Sequence, residues 1–256
     1  MAETLHATPA DRFGPWIERP DGVDFPYYAG EPVGLGAVRW ALAWLSVAAG
    51  FAALVLLPEP DNVAALVPRA LFVVIPLAVL AVLARPYWSA LFRPVRGRDL
   101  LTMAGFALLN IVVSLLLGTL VASVFGASAN AATDDIDGAV QVLAFYLGTG
   151  IQLVGEELFT VIPFLALLYF LTRRGTLSRK SAIVVAWLVT AVWFGAAHLP
   201  TYDWNVAQCF IVIGGARLVL TLAWIRTKNL WVCSGAHILN DWALFTPSIV
   251  AAAAFG

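Results

Sequence analysis

The sequence predicts an all-α protein, a polytopic transmembrane helical bundle of about seven spans with its N-terminus in the cytoplasm. Its 256 residues are 61% hydrophobic and 12% charged, and the mean hydropathy is +0.86. Soluble domains carry about a quarter charged residues, so this composition indicates a chain embedded in the lipid bilayer. The net charge of −1 and the lack of a basic run give no reason to expect nucleic-acid binding. The Gly- and Ala-rich, Lys-poor composition suggests a bacterial cell membrane.

Apolar stretches long enough to cross about 30 Å of hydrocarbon set the predicted span boundaries. Span four is too long for one perpendicular helix at roughly 1.5 Å per residue, so it must tilt, project beyond the bilayer or break. If the helix breaks, Gly148, Gly150 and Gly155 are the places for the break. The seven spans cover about Trp40–Leu57, Ala65–Ala84, Leu100–Phe125, Ala139–Leu171, Ser181–Ala197, Val206–Ile225 and Leu230–Phe245, with an apolar tail to Gly256.

Positive charges alternate between successive connections, and this alternation predicts the orientation of the chain. Lys and Arg cluster before span one and in the connections after spans two, four and six. On the opposite side the only positive residue is Arg69, at the edge of span two. Because cytoplasmic loops carry the excess of Lys and Arg, we expect the N-terminus in the cytoplasm and the C-terminus outside.

The chain divides into a polar cytoplasmic leader, residues 1–39, and a transmembrane helical domain, residues 40–256. The leader lacks the basic start and the apolar core of a signal peptide, and its composition favours a disordered or loosely ordered segment. Before span four an acidic loop is expected to cap the following helix rather than to bind calcium. The acidic residues of this loop are Asp134, Asp135 and Asp137.

Two adjacent carboxylates, Glu156 and Glu157, lie within span four. An ionised acid in hydrocarbon costs at least ~2.5–3.5 kcal/mol on insertion scales, so such a residue normally faces a bundle interior or a water-filled cavity and is functional by default. The alternative interpretation is structural, an ion pair between helices with Arg217. Arg217, in span six, is the only cation deep within a span.

Two histidines in later spans add to this polar set. His198 ends a run of apolar residues after span five, and His237 precedes Asp241 by four residues in the last span, so His237 and Asp241 share a helix face while Asn240 is slightly rotated. Each histidine alone is as often a hydrogen-bonding group between helices as a catalytic one. Together with the carboxylates they indicate a site at helix junctions. Glu can act there as a general base, and His can stabilise an oxyanion or ligate a metal with Glu.

Three separated motifs, taken in order, resemble the CPBP group of intramembrane proteases, also called the CAAX-protease or Abi family. The family pattern is EExxxR, then FxxxH, then HxxxN or HxxxD. The resemblance covers about residues 139–245, and the ordered set is specific although each motif alone is weak. The matching residues are Glu156 with Glu157, Phe194 with His198, and His237 with Asp241.

One position departs from the family pattern. The family's arginine falls five residues after the first glutamate, where this chain has Val161. The change removes the usual cation from the carboxylate pair, and Arg217 is the residue that can substitute for it. The departure bears on activity more than on the fold.

The resemblance implies a membrane-embedded peptidase that acts on a peptide or on a membrane protein. Glu156 would activate a water molecule for attack on a peptide carbonyl, and Glu157 would be a supporting carboxylate. His198 would orient the water or stabilise charge. His237 and Asp241 would stabilise the oxyanion, with Asp241 donating only when it is protonated. The further supporting residues are Phe194, Asn240 and Arg217.

A second mechanism and two other functions stay open at the level of the sequence. Glu156, His198 and His237 could form an open zinc site, as the common label metalloprotease implies, although a metal-free hydrolysis is favoured. The chain could also be a catalytically inactive relative that acts as a membrane scaffold or an immunity factor. A proton-coupled transporter that relays protons through the same residues is less favoured, because the sequence shows no inverted repeat.

Overall fold

The fold is known from a computed structural model, which describes residues 11–19, 21–130, 136 and 138–255. Six helical segments of this described part are long and apolar enough to cross a membrane, and the last helix, which is 26 residues long, packs among them. The prediction of an all-helical polytopic bundle is therefore confirmed. The main helices are α1 (Ala37–Leu56), α2 (Leu66–Leu83), α3 (Gly97–Phe125), α4 (Gly138–Tyr169), α5 (Arg179–Ala197), α6 (Gly214–Thr227) and α7 (Leu230–Phe255).

Hydrogen bonds between connections identify the two ends of the bundle. At one end, Arg19 of the leader donates to the carbonyl of Thr227 at 3.1 Å, and Arg93 donates to the carbonyl of Lys228 at 3.1 Å. These bonds join the leader to the α2–α3 and α6–α7 connections, and we call this the basic end because the Lys and Arg clusters lie there. At the opposite end, a hydrogen bond of 3.1 Å from Asn130 to the Tyr202 hydroxyl joins the α3–α4 and α5–α6 connections.

Helix α4 lies at the centre of the bundle. Every residue from 155 to 166 is buried, because α4 is apolar on most of its circumference and contacts α1, α2, α5 and α7. The helix does not break at its glycines. At Gly148 a methyl group would overlap the Arg69 guanidinium, and at Gly155 it would lie 2.5 Å from the Phe72 ring. These glycines permit α2 to pack closely on α4, and of the three alternatives for this long span the break is excluded.

The leader is ordered where the structure describes it, which corrects the expectation of a loosely ordered segment. Phe25, Tyr27 and Leu35 are buried in the same apolar core as α4. The ring centroid of Phe25 lies 5.4 Å from that of Phe164. The leader has no helical or strand period, so its burial could not be predicted from a local pattern. The residues outside the described part are 1–10, 20, 131–135, 137 and 256, which include the acidic residues Asp134, Asp135 and Asp137.

A buried ionic cluster holds the leader against the basic end. The carboxylate of Glu18 is fully buried and accepts hydrogen bonds from Arg179 at 2.6 Å and from Lys228 at 3.1 Å. Asp24 lies 2.6 Å from the same guanidinium. Burial alone would raise the pKa of Glu18, but the hydrogen bond from Arg179 and the charge of Lys228 outweigh burial and lower that pKa to about 2. We call these four residues the leader cluster.

Glu18→Gln is expected to lower the free energy of unfolding by about 3 kcal/mol, because Arg179 and Lys228 lose the carboxylate that they share. Since the pKa of Glu18 is lower in the folded than in the unfolded chain, its stabilisation is complete above pH 4.5 and is lost as the pH falls towards 2. Thermal unfolding in detergent across this pH range measures both effects. Glu59→Gln, on an exposed connection, is the control, and an equal loss in both variants would contradict the prediction.

Candidate active site

The three motifs meet at one cavity inside the bundle, with a volume of about 400 Å³. Helices α4, α5, α6 and α7 each contribute side chains to its wall. Among the candidate residues only Glu157 does not line the cavity, because it points into the protein and is fully buried. The candidate residues that line the cavity are Glu156, Phe194, His198, Arg217, His237, Asn240 and Asp241.

Adjacent positions on α4 give the two carboxylates different environments. Successive residues of an α-helix are rotated by about 100°, so Glu156 faces the cavity while Glu157 faces α6 and α7. Oε1 of Glu156 accepts a hydrogen bond from Nε2 of Gln152 at 2.9 Å. Its Oε2 lies 3.8 Å from Nε2 of His237. Gln152 therefore fixes one carboxylate oxygen, and the other has no hydrogen-bond donor among the described residues.

A buried charged pair lies behind Glu156. Oε1 of Glu157 is 2.7 Å from Nη1 of Arg217, and both side chains are 0% exposed. The guanidinium also lies over the Phe194 ring, 4.9 Å from its centroid. A single charge buried in this way would be strongly destabilising, so each member of the pair depends on the other.

Val161, at the position of the family's arginine, is 1% exposed and packs in the apolar core. The cation beside Glu157 comes instead from Arg217 of α6. The sequence singled out Arg217 as the candidate substitute, and the structure places it at ion-pair distance. The change in the motif therefore leaves Glu157 with a cationic partner, supplied by a different helix.

His237 is held in a defined orientation by Glu157. Because a carboxylate only accepts, Nδ1–H of His237 donates to Oε1 of Glu157 at 2.8 Å. The other ring nitrogen, Nε2, lies 3.8 Å from Oε2 of Glu156 and 3.7 Å from Oδ1 of Asp241. Nδ2 of Asn240 donates to the same Asp241 oxygen at 2.7 Å. Helix α7 thus presents an imidazole nitrogen and a carboxyl group side by side at the cavity.

His198 lies at the C-terminal end of α5, where Pro200 prevents the helix from continuing. Nδ1–H of His198 donates to the carbonyl of Phe194 at 2.8 Å, so Nδ1 carries the proton. The rings of Phe194 and Tyr202 lie against the imidazole, with centroids at 4.5 Å and 6.5 Å. These contacts fix the ring and leave Nε2 without a hydrogen bond to any described residue.

Several residues of the cavity wall were missed by the sequence reasoning. Gln152 could have been found, because it precedes Glu156 by four residues on the same helix face. No comparable sequence pattern points to Tyr202. Burial raises the pKa of Tyr202 to about 12, so its hydroxyl stays protonated at the cavity. Asn110 is fully buried, and neither polar atom of its amide has a hydrogen-bond partner among the described residues. Arg69 also lines the cavity, although the sequence placed it only at a span edge.

The described residues contain no group of three or more His, Cys, Asp or Glu side chains arranged to hold a metal ion. This finding gives no support to the alternative zinc site that the sequence offered, Glu156, His198 and His237. Tetrahedral zinc takes three or four such ligands at about 2.0–2.3 Å. We derive no catalytic step through zinc.

Residues 137–243 match a family model described as Rce1-like, type II CAAX prenyl endopeptidase. The matched segment begins at the start of α4 and ends within α7, so it includes all three motifs and every candidate side chain. No curated protein and no solved structure matches the chain. The resemblance inferred from the motifs is thus confirmed, and residues 137–243 carry an Rce1-like domain of the CPBP group.

Proposed function

We propose that this protein is an intramembrane endopeptidase in which Glu156 activates water against a peptide bond of a membrane-associated peptide or protein. The Rce1-like domain supports a CAAX-protease-like peptidase at the level of the family. The finer proposal depends on one observation: Glu156, His198, His237 and Asp241 line the same cavity inside a helical bundle.

Glu156 is the proposed general base. One of its oxygens is held by Gln152 at 2.9 Å, and the other is available to a water molecule in the cavity. With its proton on Nδ1, neutral His198 has Nε2 as an acceptor, which can take a second hydrogen bond from the same water. A carboxylate that takes the proton as water attacks the carbonyl typically contributes about 10²–10⁴-fold to the rate.

His237 and Asp241 are the proposed donors to the oxyanion that forms on the peptide carbonyl. An imidazolium donates from both nitrogens, so protonated His237 can hold Glu157 and the oxyanion at once. Asp241 donates when it is a carboxylic acid. Glu157 is a positioning residue, since it contacts His237 at 2.8 Å and does not line the cavity.

The ion pair of Glu157 with Arg217 favours an active enzyme over an inactive scaffold. The loss of the family's arginine at Val161 is the feature that favours a scaffold. A guanidinium at 2.7 Å supplies the missing charge from another helix. Glu157 can therefore remain a carboxylate and orient the His237 ring for its proposed role at the oxyanion.

The proposal is tested with purified protein in nanodiscs and a library of membrane-anchored peptides. Wild type is expected to cleave members of the library, and His198→Ala to cleave them at least about 100-fold more slowly. Cleavage that survives a chelator would support the metal-free mechanism, whereas loss to the chelator and recovery with zinc would contradict it. If wild type cleaves no peptide, the scaffold becomes the better explanation.

Asp241→Asn is expected to keep kcat/KM within about tenfold of wild type and to flatten the alkaline side of the pH profile, because an amide donates at every pH and a carboxyl group only when protonated. Asp241→Ala is the matched control and should lose about 10²–10³-fold, the usual cost of one oxyanion donor. Rates measured from about pH 5 to pH 9 check both. Equal losses in the two variants would show that Asp241 is not a donor.

A further inference from the structure

The wall of the cavity reaches only one end of the bundle. Its lining includes Asn130 of the α3–α4 connection and Thr201 and Tyr202 of the α5–α6 connection, all at the end opposite the basic end. Thr201 is also exposed, so the cavity meets the surface there. No described residue of the basic-end connections lines the cavity.

The basic end is closed by the leader. Phe25 packs against Phe164 of α4 and Trp224 of α6, with ring centroids at 5.4 Å and 6.1 Å, and all three side chains are buried. The leader cluster lies beside this aromatic layer, with Lys228 over the Phe25 ring at 4.6 Å. A polypeptide cannot reach the site from this end unless the leader is displaced.

The charges indicate which end faces the cytoplasm. Thirteen of the fifteen lysines and arginines lie at the basic end, and the two exceptions are Arg69 and Arg217. The connections at the opposite end carry acidic residues, among them Glu59, Asp61 and Asp203. Because Lys and Arg near span ends are retained on the cytoplasmic side, this distribution assigns the basic end to the cytoplasm.

We infer that the cavity takes its substrate from the non-cytoplasmic side of the membrane, so that its substrates are exported peptides or the external segments of membrane proteins. That the cavity binds a peptide for cleavage rests on the proposed function. The side of entry rests on the residues that line the cavity, on the leader that covers the basic end and on the distribution of Lys and Arg. Chain ends that remain in the cytoplasm are excluded as substrates.

The side of entry is tested by cysteine labelling in intact bacterial cells with a small membrane-impermeant thiol reagent. Native Cys209 and Cys233 are both fully buried, so wild type gives the background. Thr201→Cys at the entrance and Ser114→Cys inside the cavity are expected to be labelled in intact cells. Arg98→Cys, exposed at the basic end, is expected to stay at background until the cells are permeabilised.

The opposite pattern, Arg98→Cys labelled and Thr201→Cys unlabelled in intact cells, would overturn the inference. A Ser114→Cys protein that reacts from neither side, or only after permeabilisation, would overturn the route of entry. Trp204→Cys, at a side chain 68% exposed, replaces Thr201→Cys if that variant does not fold.

Sided vesicles separate this inference from the proposed function. A library peptide added outside should be cleaved by right-side-out vesicles and not by inside-out vesicles. Cleavage by inside-out vesicles alone would overturn the side of entry. If the cysteines label as expected but neither kind of vesicle cleaves any peptide, the endopeptidase proposal fails while the side of entry stands.

Discussion

Glu156→Gln is expected to abolish peptide cleavage, with a loss of at least about 10³-fold in kcat, because an amide cannot take a proton from the attacking water. The change preserves the shape of the side chain, and Gln152 can still donate to the remaining carbonyl oxygen of residue 156. We therefore expect the thermal unfolding temperature to stay close to that of wild type. Single-turnover cleavage in nanodiscs measures the chemical step directly.

The matched control for this variant is Glu59→Gln, which makes the same chemical change on the exposed α1–α2 connection and should cleave at the wild-type rate. A Glu156→Gln protein that retains more than about a tenth of the wild-type kcat would exclude Glu156 as the general base. Loss of cleavage together with loss of folding would point to a structural carboxylate instead, and the unfolding measurement distinguishes these results.

Arg217→Met is expected to lower the free energy of unfolding by about 3–5 kcal/mol, because it leaves Glu157 buried without its cation. Met keeps most of the apolar stem of the side chain, so the loss reports on charge more than on packing. Glu157 is 0% exposed, and the remaining basic partner at hydrogen-bond distance is His237 at 2.8 Å. Cleavage should fall as well, because Glu157 orients the His237 ring.

The double variant Arg217→Met with Glu157→Gln separates the buried charge from the packing around it. When both charges are removed, a large part of the lost stability should return, since a neutral amide costs less to bury than an unpaired carboxylate. Thermal unfolding of the two single variants and the double variant in the same detergent completes the cycle. Strictly additive losses would show that the two residues are not coupled.

The sequence alone determined the class of fold and most of the helix bounds. Backbone groups in lipid must be satisfied within the helix, so a local apolar run is enough to predict a span. The errors lie at the ends: α1 begins at Ala37 rather than near Trp40, and α7 continues to Phe255 rather than ending near Phe245. The polar residues before α1 and the apolar tail after α7 do not mark where a helix begins or ends, so the sequence leaves these two bounds undefined.

The candidate site could also be assembled as a set of residues from the sequence. Polar groups are rare in the late spans, so Glu156, His198 and His237 stood out, and their spacing carried the resemblance that the matched segment confirms. Their catalytic roles stay predictions. Arg217 was found in the same way, as the only cation deep in a span, but nothing local indicated which carboxylate it faces.

Only the tertiary structure decided how these residues are partnered and which end the site opens to. In the tertiary structure Glu156 and Glu157 have different environments, and the leader covers the basic end. Two glycines of α4 lie where α2 packs closely on it. The physical reason is distance along the chain: the bond from His237 to Glu157 joins residues 80 positions apart, and that from Arg19 to Thr227 joins residues 208 apart. Such contacts depend on which helix faces meet, and no local pattern specifies that.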